Sequence, residues 1–261
     1  MDGVLGAITA NLDYFILMLL RVSSLIISSP IFGRRNLPNT LKITFCILVT
    51  YVIFAGNPLT AAVQYNGVIE FVMLCVKELL FGLVLGFVTT LFFSVVQTAG
   101  QLIDMQMGFG MVGVFDVQSN ISVPISGSLL NMGLLIAFFG VNGHLQLIYI
   151  VRSTFDNIPV GEVALNPAIG MAALEVFALA FLLAVNVAMP LIASGLLGEV
   201  VMGFIVRAIP QMNVFVVGIP LKIMLGFLML LLVIPVYVSF TSVIFQHMFS
   251  SIDQMLAGLA S

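Results

Sequence analysis

The sequence predicts an all-α, membrane-associated protein built from kinked and discontinuous apolar helices, and three observations carry that expectation. Hydrophobic residues make up 61% of the 261 positions and charged residues only 7%, whereas a water-facing surface needs about a quarter to a third charged residues. Five to six apolar segments follow one another along the chain, and several are too long for one straight crossing of a bilayer. Charged residues also sit inside those segments, where lipid alone cannot satisfy them. Together these exclude a soluble enzyme. The net charge of −3, with eight scattered cations, leaves no basic stripe for a phosphate backbone and excludes nucleic acid as a partner. Cys46 and Cys75 lie in apolar stretches without metal or redox spacing.

The first apolar segment runs from Tyr14 to Phe32, close to the roughly 20 residues that cross a hydrocarbon core, and it contains Arg21. The acidic residues Asp2 and Asp13 ahead of it do not resemble the cationic start of a cleaved leader, so no processing is expected. A second segment, Leu41 to Ala55, ends at Gly56-Asn57-Pro58, where glycine frees φ and proline cannot continue a helix. Between the two lies a cationic loop of Arg34, Arg35 and Lys42, which the positive-inside rule turns toward the cytoplasm.

Val68 to Ile103 is apolar almost throughout and would make a straight helix of roughly 54 Å at 1.5 Å per residue, against a hydrocarbon core of about 30 Å. It is expected to kink, fold back or leave the bilayer, with Gly82, Gly86 and Gly100 as the places to do so. Ser128 to Val151 follows. Met171 to Val206 carries Glu175 and Glu199 and is expected to break at Pro190. Val214 to Phe249 contains Pro220 and Pro235, each of which removes a helix donor, so broken helices are expected there too.

Arg21, Lys77, Glu78, Glu175 and Lys222 all lie within apolar sequence, and each costs about 2.5 to 3.5 kcal/mol at a bilayer centre unless it is partnered. Lys77 and Glu78 are adjacent and point about 100° apart on a helix, so their partners are expected on other helices or subunits. The absence of Trp removes the best residue of an interfacial belt and points to helices packed mainly on protein.

Gly108-Phe109-Gly110-Met111-Val112-Gly113 spells the dinucleotide fingerprint, but that chemistry needs an acidic residue about 20 positions on. No Asp or Glu occurs between Asp116 and Asp156, so the glycines are read as bending or packing points. The connection from Asp104 to Pro124 is unusual as a whole, mixing Met105, Met107, Met111, Phe109 and Phe115 with Gly108, Gly110 and Gly113. Irregular apolar backbone at membrane depth must be buried in protein or line a cavity. Its residues fit either a buried linker or a flexible seal. His144 and His247 have no metal-binding spacing, and no nucleophile, base and acid can be grouped, so neither a metal nor a catalytic site is expected.

Arg207-Ala208-Ile209-Pro210-Gln211-Met212-Asn213-Val214-Phe215, followed by Gly218-Ile219-Pro220-Leu221-Lys222-Ile223, resembles the most distinctive motif of the FliR family of flagellar biosynthetic proteins. Pro30-Ile31-Phe32-Gly33, Gly100-Gln101-Leu102-Ile103-Asp104-Met105-Gln106-Met107-Gly108-Phe109 and Ser153-Thr154-Phe155 extend the likeness over nearly the whole chain. Val117 departs from the family's usual proline after Asp116.

The resemblance implies a single export-gate domain spanning 1–261, with a FliP-like part joined to a FliQ-like C-terminal hairpin inside a helical hetero-oligomer. It implies a non-enzymatic subunit of the flagellar type III secretion system, without cofactor, in the bacterial inner membrane at the flagellar basal body. With FliP and FliQ, and adjoining FlhB, it would form the pore for unfolded flagellar subunits. Injectisome SctT proteins share the family, so a virulence-type gate is the alternative. The resemblance further makes the 104–124 connection a pore plug, with Met105, Met107, Gly108, Phe109, Gly110, Met111, Gly113 and Phe115 as its gating residues. Arg21, Lys77, Glu78, Arg207, Pro210, Gln211 and Lys222 are the candidates for buried charge and assembly. A proton-coupled secondary transporter using Glu175 and Glu199 is the competing class, and it calls for internal repeats that the two halves of the chain do not display.

Overall fold

The structure is a computed structural model that describes residues 8, 11–56, 63–109, 124–163, 166–209, 211 and 214–260. Among these residues there are seven helices and no strand: α1 Leu12–Ser28, α2 Asn39–Gly56, α3 Val68–Met107, α4 Ile125–Gly140, α5 Gly143–Asn157, α6 Ala168–Ala208 and α7 Val214–Ala260. Four helices are long and apolar enough to cross a membrane, over Asn39–Gly56, Val68–Met107, Ile169–Ala208 and Val216–Leu259, and α4 with α5 would make a fifth, broken span.

Local chemistry accounts for the shorter helices. Asp13 sits in the first turn of α1, where the helix dipole favours an anion. Its buried face, Leu17, Met18, Arg21, Val22, Leu25 and Ile26, recurs at helical spacing. At its end Ser29 turns to extended backbone, and its amide donates back to the Leu25 carbonyl. In α2 the buried residues Cys46, Val49, Thr50 and Ile53 mark one face, while Leu41, Ile43, Ile47, Leu48 and Val52 are bare.

The three long segments differ from expectation in one respect. α3 runs for 40 residues without folding back, α6 continues through Pro190, and α7 continues for 47 residues through Pro220 and Pro235. Prolines inside apolar helices are tolerated where neighbouring helices re-satisfy the freed backbone groups. Instead, the chain breaks within the Ser128 to Val151 segment. There Val141-Asn142 separates α4, ending at Gly140, from α5, starting at Gly143, with Asn142 at φ 56. Asn is one of the few residues that adopt this left-handed conformation readily.

The glycines of α3 serve close packing. A Cβ at Gly82 would strike the Arg21 carbonyl and the Ser24 hydroxyl of α1, and one at Gly86 would strike Ser28. One at Gly100 would strike the backbone of Gly127 in α4. Small residues at such contacts let helix backbones approach where no larger side chain fits.

The chain forms two compact units that interleave in sequence. The first comprises Met1–Leu91, Asn142–Val176 and Met248–Ser261, and the second Phe92–Val141 and Phe177–His247. In the first, Leu17, Met18, Phe81, Leu85, Leu147, Ile252 and Met255 are buried together with the polar pair Arg21 and Glu78. The second has an aromatic centre in which Phe138 lies edge-on to Phe93 at 5.6 Å and to Phe245 at 5.5 Å. Tyr237 adds a hydrogen bond from its buried hydroxyl to the Leu130 carbonyl at 2.8 Å.

Candidate functional site

In the first unit, α1 and α3 bring Arg21 against Glu78. Arg21 Nε donates to Glu78 Oε2 at 2.5 Å and Nη2 donates to Oε1 at 3.0 Å, a two-point pairing of planar groups. The remaining donor capacity reaches the end of α5: Nη1 donates to the carbonyls of Thr154 and Ile158 at 3.2 and 3.0 Å. The amide of Gly161 donates to Glu78 Oε1 at 2.8 Å. The guanidinium carbon lies 4.4 Å from the centre of the Phe81 ring and 4.6 Å from that of Phe155, so two aromatic rings pack against the cation. Chemically this is a structural clamp joining α1, α3 and the loop after α5, with no group left to react. Lys77 is half-buried on the neighbouring face of α3.

In the second unit, the glycine-rich connection begins later than its composition suggests. Asp104 to Met107 are helical, and the helix stops at Gly108, which has φ 78. The Gly108 amide donates to the Met105 carbonyl, and the Phe109 amide donates to the Asp104 carbonyl at 3.0 Å. This pair of bonds is a Schellman termination, which wants glycine at the left-handed position. The first glycine of the false dinucleotide fingerprint is therefore a helix stop.

The last turn of α3 is seated on α6 and α7. A Cβ at Gly195 would lie 2.7 Å from Gln106 Cγ, and one at Gly226 would lie 2.7 Å from Met107 Sδ. Met107 and Phe109 are buried, and the Phe109 ring packs on Phe227 at 5.2 Å, whereas Met105 is 78% exposed. Gly110, Met111, Gly113 and Phe115 lie outside the described residues, as does Pro210. Asp104 is buried and accepts from the Ser126 amide at 3.2 Å, holding an anion at the start of α4.

α6 and α7 pair antiparallel. Lys222 Nζ meets Glu199 Oε1 at 2.5 Å near the connection between the two helices. In the first unit, Gln254 donates to Glu175 at 3.1 Å. Glu175 and Glu199 belong to different units, each with its own partner. Between α6 and α7 within the second unit runs an apolar cavity of about 950 Å³, with Arg207 among its lining residues. Arg207 and Gln211 are exposed.

The sequence nominated Arg21 and Glu78 separately as charges needing partners, and the fold pairs them with each other. It missed Asp104 and Ser126 as a capping pair, and it missed Glu199 as the partner of Lys222. A carboxylate ahead of Pro124-Ile125-Ser126 was the available signal for the first, but its separation of 22 residues hid it.

The family described as bacterial export proteins, family 1, matches residues 12–248. The flagellar biosynthetic protein FliR of Escherichia coli strain K12 is 31% identical over 250 residues, covering 96% of this chain and 94% of its own length. That of Bacillus subtilis strain 168 is also 31% identical, covering 90% of each chain. The Yop proteins translocation protein T of Yersinia pestis is 28% identical and covers 84% of each. With the match running from α1 into α7 and the helices long and apolar enough to span a bilayer, the chain belongs to bacterial export proteins, family 1, and is an all-α membrane protein of that family.

Proposed function

We propose that this chain is the FliR-type subunit of a flagellar type III export gate in the bacterial inner membrane. There it assembles with FliP-, FliQ- and FlhB-type subunits around the path of unfolded flagellar proteins. The observation that carries the reading is the match to flagellar FliR proteins over 96% of the chain. The bare apolar faces support an assembled protein: Leu231, Leu232 and Val236 on α7 are each more than 60% exposed. The flagellar reading is favoured over the injectisome one by the FliR proteins of Escherichia coli and Bacillus subtilis, 31% identical over 96% and 90% of the chain, against 28% over 84% for the Yersinia relative.

Within this reading, the segment from Met105 to Phe115 is the closure of the resting pore. A path wide enough for unfolded polypeptide must be sealed against ions. Its stem, Gln106 to Phe109, is anchored on α6 and α7 through Gly195, Gly226 and Phe227, which gives the segment a fixed base. Arg21 and Glu78 hold the first unit together rather than touching substrate.

The test is deletion of the gene in its host, with flagellar protein export and co-purified subunits as readouts. Loss of export, restored by the parent chain, together with capture of FliP- and FliQ-type proteins is expected. Normal flagellar export in the deletion strain overturns the proposal.

A further inference from the structure

The seat of the α3 stem and the Glu199–Lys222 ion pair are laid out together on α6 and α7. Gly195 takes Gln106, and Gly226 takes Met107. Glu199 stands four positions after Gly195 and Lys222 four positions before Gly226, so each charge shares a helix face with its glycine, one turn away. Because α6 and α7 run antiparallel, both turns lead toward the connection between them, and there Lys222 Nζ meets Glu199 Oε1 at 2.5 Å. The ion pair thus ties the two helices together directly beside the sockets that hold the stem.

Gln106 joins that pair to the stem. A Cβ at Gly195 would lie 2.7, 3.2 and 3.4 Å from Gln106 Cγ, Nε2 and Cδ, so the bare glycine backbone is what lets the whole side chain lie along α6. Its amide reaches Glu199, where Nε2 donates at 3.5 Å to Oε1, the oxygen that also accepts from Lys222. Asp104, two positions earlier and so about 200° round the helix, holds the Ser126 amide of α4. The last turn of α3 is therefore gripped from two sides. Stability is a poor account of the ion pair: the Lys222 and Glu199 side chains remain 29% and 50% exposed, and a pair that open adds little to a fold. A contact of that strength can hold one position of the stem and still be broken and remade. Resting on the assignment of Met105 to Phe115 as the closure of the pore, we propose that Gln106, Glu199 and Lys222 are positioning residues that latch the stem of the closure against α6 and α7 in the resting gate.

The test uses the full chain within its purified complex and reads ion conductance in planar bilayers beside complex yield. Gln106→Glu keeps the shape of the side chain and sets a second carboxylate against Glu199, so conductance should rise severalfold while the yield holds. Exchanging the two groups, Gln106→Glu with Glu199→Gln, leaves a single carboxylate within reach of Lys222 and should return conductance to the parent level, a recovery that a merely space-filling glutamine would not give. Adding Lys222→Gln to the exchanged pair should bring the leak back, because the carboxylate then has no cation to hold it. Met105→Ser alters the closure outside the latch and separates the two readings. A leak in Met105→Ser with none in Gln106→Glu overturns the latch and leaves the closure standing, whereas no leak in either removes the closure and the latch with it. A leak that persists in the exchanged pair, or a seal that survives the added Lys222→Gln, also overturns the latch. Where Gln106→Glu lowers the yield, the exchanged pair must restore yield and seal together, and failure to restore both overturns the proposal.

Discussion

Arg21 and Glu78 stand 57 positions apart in the chain and face one another with side chains 1% and 0% exposed. Removing either one leaves an uncompensated buried charge, which typically costs 3–5 kcal/mol. Arg21→Ala and Glu78→Ala should each lower the unfolding midpoint in detergent sharply, while Arg21→Met combined with Glu78→Leu should recover most of the loss. Arg21→Lys should resemble the alanine variant, because an ammonium cannot span Glu78 and the Thr154 and Ile158 carbonyls as the fork does. A double variant no more stable than either single alanine variant would refute this account.

Gly100 and Gly127 predict a sharp asymmetry among the glycines. Gly100→Val should abolish recovery of folded protein, since even a Cβ collides with the Gly127 backbone. Gly170→Ala, where a Cβ meets nothing within 4 Å, should be neutral or stabilising by up to about 1 kcal/mol. Size-exclusion yield and thermal unfolding of the two variants decide the matter.

The Tyr237 hydroxyl serves the Leu130 carbonyl alone among the described residues. Tyr237→Phe should therefore cost about 1 kcal/mol, the usual net worth of a buried hydrogen bond. A loss beyond about 3 kcal/mol in equilibrium unfolding would mean that the hydroxyl has a second role.

The closure assigned to Met105 to Phe115 separates two effects by exposure. Met105→Ser removes an exposed side chain and should raise ion leakage of the assembled gate without weakening the fold. Met107→Ser and Phe109→Ser should raise leakage and also lower stability, because both side chains are buried. Planar-bilayer conductance measured beside complex yield tests this. Normal assembly with unchanged leakage in all three would remove the plug assignment.

Tyr65 donates to Asp13 Oδ2 at 2.5 Å in the connection ahead of α3. This hydrogen bond, first among the causes, raises the phenol above its usual pKa of 10.0. The folded state thus holds the proton more tightly than the unfolded one. The contribution is complete below pH 10.0 and fades as pH climbs through the raised folded value. Tyr65→Phe should flatten the alkaline limb of the stability profile, and absorbance titration of the phenolate should show the late ionisation disappear.

Helix existence was legible because it rests on hydrophobic runs, and each apolar segment became helical, the one from Ser128 to Val151 as two helices. Helix continuity was not. The prolines at 190, 220 and 235 suggested breaks, yet the chain breaks at Asn142, where the signal was a Val-Asn step between two glycines. Proline's effect depends on whether neighbours satisfy the freed carbonyl, and no single sequence contains that information. The unusual charges were visible one at a time. Their pairing, Arg21 with Glu78 and Lys222 with Glu199, required the packing of helices far apart in sequence. At the connection, composition placed the start at Asp104, whereas the helix runs on to Met107, with Gln106 and Met107 seated in the glycine sockets of α6 and α7.

The interleaving of the two units bears on biogenesis. Met248, Ile252, Met255 and Leu259, each at most 1% exposed, belong to the unit that begins with α1. The ribosome therefore makes most of that unit first but cannot complete it until residue 259 has been synthesised. During that interval Leu17, Met18 and Phe81 wait without their full set of neighbours. A nascent chain in this state is an obvious client for insertion machinery that shields apolar helices, and synthesis paused before Met248 would leave a protein with its earliest helices still open.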